Sequence, residues 1–139
     1  MDLADLKEFL AHPRHDGWRV PGVEAVSVEG ARLVVRLQVT PELRNYGGTL
    51  HGGAAATLVD NVGSLAIVAA DRDGRFGVST DLNVSWLAPI PVGEWITVEA
   101  TVLKSGRNLA FVSVDIRRES DGVLAVQGRM TKSLGTKQL

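Results

Sequence analysis

The 139-residue chain contains no cysteine. That absence excludes disulfides, thiolate nucleophiles and cysteine-based zinc or iron–sulfur sites, and it fits a reducing compartment. Neither sign of charge dominates: 15 Lys and Arg stand against 16 Asp and Glu, a formal net charge of -1. A broad basic surface for nucleic acid is therefore missing. The opening segment carries Asp2 and Asp5 where a secretory leader carries bases. No uninterrupted apolar run reaches the ~20 residues of a membrane span. The expectation is a cytoplasmic protein with neither a nucleic-acid nor a membrane partner. There is no Gly-x-Ser-x-Gly elbow, no Gly-rich phosphate loop with its Lys, and no dinucleotide fingerprint. His12 and His15 lie in a Pro-containing stretch with no third ligand beside them, so no metal site is expected. Internal repeats, low-complexity tracts and interdomain linkers are also absent.

A domain of this length buries roughly two-thirds of its unfolded surface, enough for a core without staples. Leu3, Leu6, Phe9 and Leu10 recur at helical spacing and predict a short amphipathic helix from Asp2 to Ala11. Pro13, Gly17, Pro21 and Gly22 then break the chain. Alternation over Val23 to Glu29 and Ala31 to Thr40, around Glu29 and Gly30, predicts a hairpin. Pro41 to Leu50 reads as a Gly-containing loop, and Ala54 to Ala70 as an apolar core helix. Four strands follow, over Gly77 to Leu87, Trp95 to Lys104, Leu109 to Arg118 and Val123 to Ser133. Two strands, one long helix and four strands do not alternate as β-α-β-α, which argues against a doubly wound sheet. The natural α+β solution is a curved antiparallel sheet wrapped around one long central helix. The organisation is an N-terminal helix and loop over residues 1–22, then one domain over 23–139.

The chemistry concentrates where that helix begins. Asp60 interrupts an apolar run, and a buried carboxylate is costly unless it is paired, hydrogen-bonded or used. Gly52 and Gly53 suggest a backbone approached closely by something else. A helix N-terminus offers unpaired amides and a positive dipole end, suited to an oxyanion. Eight residues separate Gly52 from Asp60, about 12 Å along a helix axis. The two cannot touch one reacting carbon within a single chain, so joint action requires Asp60 from a second copy, as a two-fold dimer supplies. Plainer roles stand beside these. Asp60 is also readable as a helix acid held by Asn61 or Thr57, and Gly52-Gly53 as an aid to tight helix–sheet packing. His51 is readable as a cap, Ser79 as an ordinary strand serine, and Lys104 and Arg107 as solvated turn charges.

Taken in order, the motifs are Asn45-x-x-Gly48-Thr49-Leu50-His51-Gly52-Gly53, Thr57-Leu58-Val59-Asp60-Asn61, Val78-Ser79-x-Asp81-x-Asn83 and Pro89. They continue with Val102-Leu103-Lys104-x-Gly106, Leu109-Ala110-Phe111, Ser113-Val114-Asp115 and Gln127-Gly128-Arg129-x-Thr131-Lys132. This ordered set, spread from Val23 to Gly135, resembles the hotdog-fold acyl-CoA thioesterases. The matching branch holds the phenylacetate-pathway thioesterases and thioesterase superfamily member 2. The resemblance implies the hotdog fold, with the sheet wrapped round the helix. It implies homodimers joined edge to edge with active sites shared between subunits, and tetramers as dimers of dimers. The substrate implied is an acyl-CoA, with no cofactor beyond that thioester.

By the same resemblance, the Gly52 amide polarises the thioester carbonyl, and Asn45 helps bind it. Asp60 of the partner chain activates water or attacks as a nucleophile. Ser79 positions the water, and His51 lies near the thioester. Coenzyme A is expected along Trp86, Pro89 and Pro91, along Lys104, Gly106, Arg107 and Asn108, and at Ser133. Tyr46 and Trp86 stand where the acyl tunnel varies among relatives, which leaves chain length and aromatic preference open. A hydroxyacyl-thioester dehydratase would need His paired with an acid at the substrate α and β carbons, and here His51 precedes Asp60 by nine residues in a different motif. An acyl-CoA-sensing module without catalysis is the remaining alternative.

Overall fold

The computed structural model describes residues 1–12 and 20–135. Pro13, His15, Gly17 and the polar tail past Gly135 lie outside them. Helix α1 covers Leu3–Ala11 and α2 covers Gly52–Ala70. The strands are β1 Glu24–Glu29, β2 Arg32–Gln38, β3 Val78–Trp86, β4 Trp95–Ser105, β5 Leu109–Arg118 and β6 Leu124–Ser133. They form one six-stranded sheet in the order β1-β2-β4-β5-β6-β3, with every neighbouring pair antiparallel. The fold is the expected α+β arrangement. Two local features depart from the sequence reading. The loop before α2 holds a single 3-10 turn at Pro41–Leu43, and α2 starts at Gly52, ahead of the apolar run.

Helix α2 has the length and mean hydropathy of a membrane span, and it is the one such helix among the described residues. Here that apolar character is spent on the sheet. Leu58, Val59, Val62, Ala66 and Ile67 are buried against Val98, Ala100, Val112, Val114 and Met130. Helix α1 opens with a capping box in which Asp2 and Asp5 each accept the other's amide at 2.9 Å. Its Leu6 reaches the same core and is fully buried.

Two glycines let α2 lie close to the sheet. A Cβ added at Gly128 on β6 would stand 2.5 Å from Val59 Cγ1. One added at Gly63 on α2 would stand 3.0 Å from Met130 Cε. At Gly128 there is no room for a methyl group, and at Gly63 one fits only where the Met130 and Val112 side chains give way.

Strand β3 is an edge strand, hydrogen-bonded only to β6. It is exposed along nearly its whole length, and Leu82 (43 %) and Trp86 (56 %) stay open although they stand on the helix side of the sheet, opposite Met130 and Val126. An unpaired, partly apolar edge is a template for another strand.

The helix–sheet contact yields a direct test. Gly128→Ala should cost about 1–3 kcal/mol through overpacking. Val59→Ala in the same chain should return part of that loss, because it removes the two methyls nearest the new Cβ. Urea unfolding of the single and double variants checks both, and strictly additive losses would mean the two positions do not press on each other.

Candidate active site

The loop ahead of α2 is folded on Asn45. Its Oδ1 accepts from the Gly47 amide at 2.9 Å and the Thr49 amide at 3.1 Å, while its Nδ2 donates to Thr49 Oγ1 at 2.8 Å. Asn45 therefore builds the loop and keeps one Nδ2 hydrogen in reserve. The Leu50 amide donates to the Ile90 carbonyl and the His51 amide to the Leu43 carbonyl, which fixes the entry into α2.

His51 is the N-cap, as the plainer reading had it. Its Nδ1 accepts from the Gly53 amide at 2.9 Å. A neutral imidazole accepting there carries its proton on Nε2. A Cβ at Gly53 would stand 3.1 Å from that same nitrogen, so glycine gives the ring its place. The cap spends the second amide of the helix. The first, from Gly52, has no acceptor among the described residues. Trp86 lies over it: the indole Nε1 donates to the Gly52 carbonyl at 3.2 Å, and a Cβ at Gly52 would stand 3.3 Å from Nε1. Asn45, Thr49, Gly52, Trp86, Pro89 and Ile90 line a cleft of about 400 Å³. Pro91 stands behind it, bridged through its backbone to Thr49. Tyr46 is fully exposed.

Two turns along α2, Asp60 is half-buried and its Oδ1 accepts from Ser79 Oγ at 3.0 Å. Of the side chains proposed to hold Asp60 as a structural acid, Thr57 is turned elsewhere and donates to the Gly53 carbonyl at 2.9 Å. Ser79 reaches Asp60 because β3 is bulged. The register pairs Ser79 with Lys132 and Leu82 with Met130, shifting between Ser79 and Asp81. Residues three apart on a regular strand face opposite sides. The extra residue, Thr80, puts Ser79 and Leu82 on the same, helix-facing side.

Asp60 and Ser79 open into a second cavity of about 790 Å³, whose apolar wall includes Phe9, Leu10, Leu58, Leu65 and Phe76. Lys132 also lines it and carried no role in the sequence reading. It is 6 % exposed, and its Nζ donates to Ser64 Oγ at 2.8 Å. Burial pushes the Lys132 ammonium below its ordinary value, and the Asp60 carboxylate pulls the other way. Alternation along β6 does mark it: Val126, Gly128, Met130 and Lys132 share the helix-facing side, and only the last is charged.

The remaining positions sit on the Asp60 end of the sheet. Lys104, Gly106, Arg107 and Asn108 form the turn between β4 and β5, closed by the Gly106 amide donating to the Leu109 carbonyl at 2.7 Å. Ser133 ends β6 and pairs with both Val78 and Leu109. A single chain thus gathers the expected residues into two groups, not one. Gly52, His51, Asn45, Trp86, Pro89 and Pro91 lie at one end of β3, and Asp60, Ser79, Ser133 and the 104–108 turn at the other. Among the described residues no three His, Asp or Glu side chains are placed to hold a metal ion.

The cap has a measurable consequence. His51→Ala leaves the Gly53 amide without its acceptor and should cost about 1 kcal/mol. An unchanged urea midpoint would show that the imidazole does not hold the helix start.

Comparison with known proteins places this geometry in a context. Residues 47–125 match the family model of the thioesterase superfamily. Human acyl-coenzyme A thioesterase 13 is 43 % identical over 113 residues, covering 81 % of this chain and 80 % of that protein. The solved structure of zebra fish thioesterase superfamily member 2 is 40 % identical and superposes with a TM-score of 0.90, covering 97 % of this chain and 99 % of that one. A Streptococcus mutans UA159 protein solved with acetyl CoA bound shares the fold, with a TM-score of 0.80 at 20 % identity, covering 92 % of this chain and 100 % of its own.

Proposed function

The chain belongs to the thioesterase superfamily, and from that premise we propose that it hydrolyses acyl-CoA thioesters to free acid and CoA at sites shared between two copies of the chain. The observation behind the shared site is the division just described: a free helix-start amide and a Ser79-bound carboxylate open into different cavities of the same protomer. The exposed edge strand supplies the means of joining them. Ser79 and Trp86 stand at opposite ends of β3. Antiparallel pairing of β3 with its copy, about a two-fold axis at Asn83, sets Ser79 of each chain, shifted one place by the bulge at Thr80, opposite Trp86 of the other. The Asp60 half of one protomer then meets the Gly52 half of its partner, twice per dimer.

In such a site the Gly52 N–H donates to the thioester oxygen as negative charge gathers there. His51 contributes by satisfying Gly53, which leaves Gly52 to the substrate, and Asn45 has an Nδ2 hydrogen to add. Across the interface Asp60 accepts a proton from a water that Ser79 helps align. The C–O bond forms, the C–S bond breaks, and CoA leaves as a thiolate. A thiolate leaves readily, so polarising one oxygen and placing one water suffice. The apolar cavity beside Asp60 fits an aliphatic or aromatic acyl group. The pantetheine arm runs past Trp86 and Pro89, and the phosphates meet Lys104 and Arg107 on the partner.

Asp60→Asn keeps the hydrogen bond from Ser79 and removes the base. Release of CoA from octanoyl-CoA, followed with a thiol reagent, should fall by at least about a hundredfold, with the far-ultraviolet circular dichroism unchanged. Turnover close to the parent enzyme would remove Asp60 from the chemistry.

A further inference from the structure

One ion pair, half-buried at the end of α2, has no task in the proposed reaction. The turn that follows α2 runs from Asp71 to Arg75, and these two side chains are among the least exposed charges described, 3 % and 15 %. Asp71 Oδ2 accepts from the Asp73 amide at 3.1 Å and the Arg75 amide at 2.8 Å, so the carboxylate shapes its own turn. Arg75 Nη2 donates to Asp71 Oδ1 at 2.9 Å, and Nε reaches both carboxylate oxygens at 3.2 and 3.3 Å. The guanidinium hydrogen bond holds Asp71 well below the usual carboxylate range. None of this needs a partner beyond the turn.

The other edge of the guanidinium looks outward from that turn. Nη1 donates to the Arg107 carbonyl at 2.9 Å and to the Gly135 carbonyl at 3.2 Å. Arg107 lies in the 104–108 turn, whose own closure is the Gly106-to-Leu109 hydrogen bond. A hairpin closed in that way does not require an arginine from 32 residues earlier to tie its tip. With protein acceptors on Nε, Nη1 and Nη2, Arg75 is a poor phosphate ligand in its own right. Lys104 and Arg107, exposed on the same turn, are free to be ligands.

We propose that Arg75 is a positioning residue for coenzyme A: anchored by Asp71, it fixes the backbone of the Gly106–Asn108 turn so that Lys104 and Arg107 are already spaced for the phosphates before the substrate arrives. The inference rests on the reading that this turn receives those phosphates. A loop ordered in advance loses less conformational freedom on binding. The same clamp joins the C-terminal end of α2, the helix that bears Asp60, to the turn that holds the distal end of the substrate. It therefore sets the span between the phosphates and the reacting carbon. The planar fork matters, because a lysine can pair with Asp71 but cannot present a second, parallel edge to the Arg107 carbonyl.

The test compares octanoyl-CoA with octanoyl-N-acetylcysteamine, which has the same thioester and no phosphates. Arg75→Lys keeps a cation beside Asp71 and is the variant that preserves the fold; Arg75→Met removes the clamp outright. In Arg75→Lys, KM for octanoyl-CoA should rise about tenfold with kcat nearly retained, while both constants for the short thioester stay put. Equal losses on the two substrates, or no change on either, would overturn the proposal. Lys104→Ala with Arg107→Ala serves as the control. If that pair also spares octanoyl-CoA binding, the turn is not a phosphate site and the underlying reading fails. If the pair raises KM and Arg75→Lys does not, the turn binds phosphate and Arg75 alone is wrongly assigned.

Discussion

A straight helix cannot fold back on itself, and the chemistry here is arranged around that constraint. Gly52 opens α2 and Asp60 lies two turns further on, about 12 Å along the axis. Packing makes the separation rigid, since α2 lies against the sheet so closely that Gly128 has no room for a Cβ beside Val59. Flexing within a protomer therefore cannot bring the two groups together. The helix turns a problem of reach into a requirement for a second copy.

The sheet meets that requirement through its least protected element. β3 is an edge, is open along its length and carries apolar side chains, Val78, Leu82 and Trp86, that the described residues leave largely exposed. The two halves of the site hang on its two ends: Trp86 bonds to the Gly52 carbonyl and Ser79 to the Asp60 carboxylate. One strand thus holds both pieces at a fixed separation, and antiparallel self-pairing brings unlike ends together. In this account the exposed edge and the catalytic geometry share a single origin.

Much of this was legible in the sequence. Helical and alternating periodicities marked both helices and all six strands, because each element has one face that must be buried. Asp60 stood out as a carboxylate in an apolar run, and the spacing to Gly52 already implied a partner. What stayed hidden depends on pairing across long sequence distances. The bulge at Thr80 leaves no local signature, yet it alone turns Ser79 toward Asp60. The cap role of His51 was readable, but that its ring takes the Gly53 amide and leaves the Gly52 amide open follows from a side-chain rotamer. The seat of Trp86 over Gly52, and that of Arg75 on Arg107, join residues more than thirty positions apart. Lys132 was a missed signal: a charge on the core-facing side of an otherwise apolar alternation, paired across the strands with Ser79.

The composite site is tested most directly by making each half defective on a different chain. Proline is tolerated at the first helical position and lacks the amide hydrogen, and His51 already has the extended backbone that precedes it comfortably. Gly52→Pro therefore deletes one half as Asp60→Asn deletes the other. Purified heterodimers of two differently tagged chains, one with each substitution, contain one site with both lesions and one with neither. They should release CoA from octanoyl-CoA at about half the rate of the parent dimer, while either homodimer stays inactive. Heterodimers confirmed by native mass spectrometry that remain as inactive as the homodimers would contradict the account.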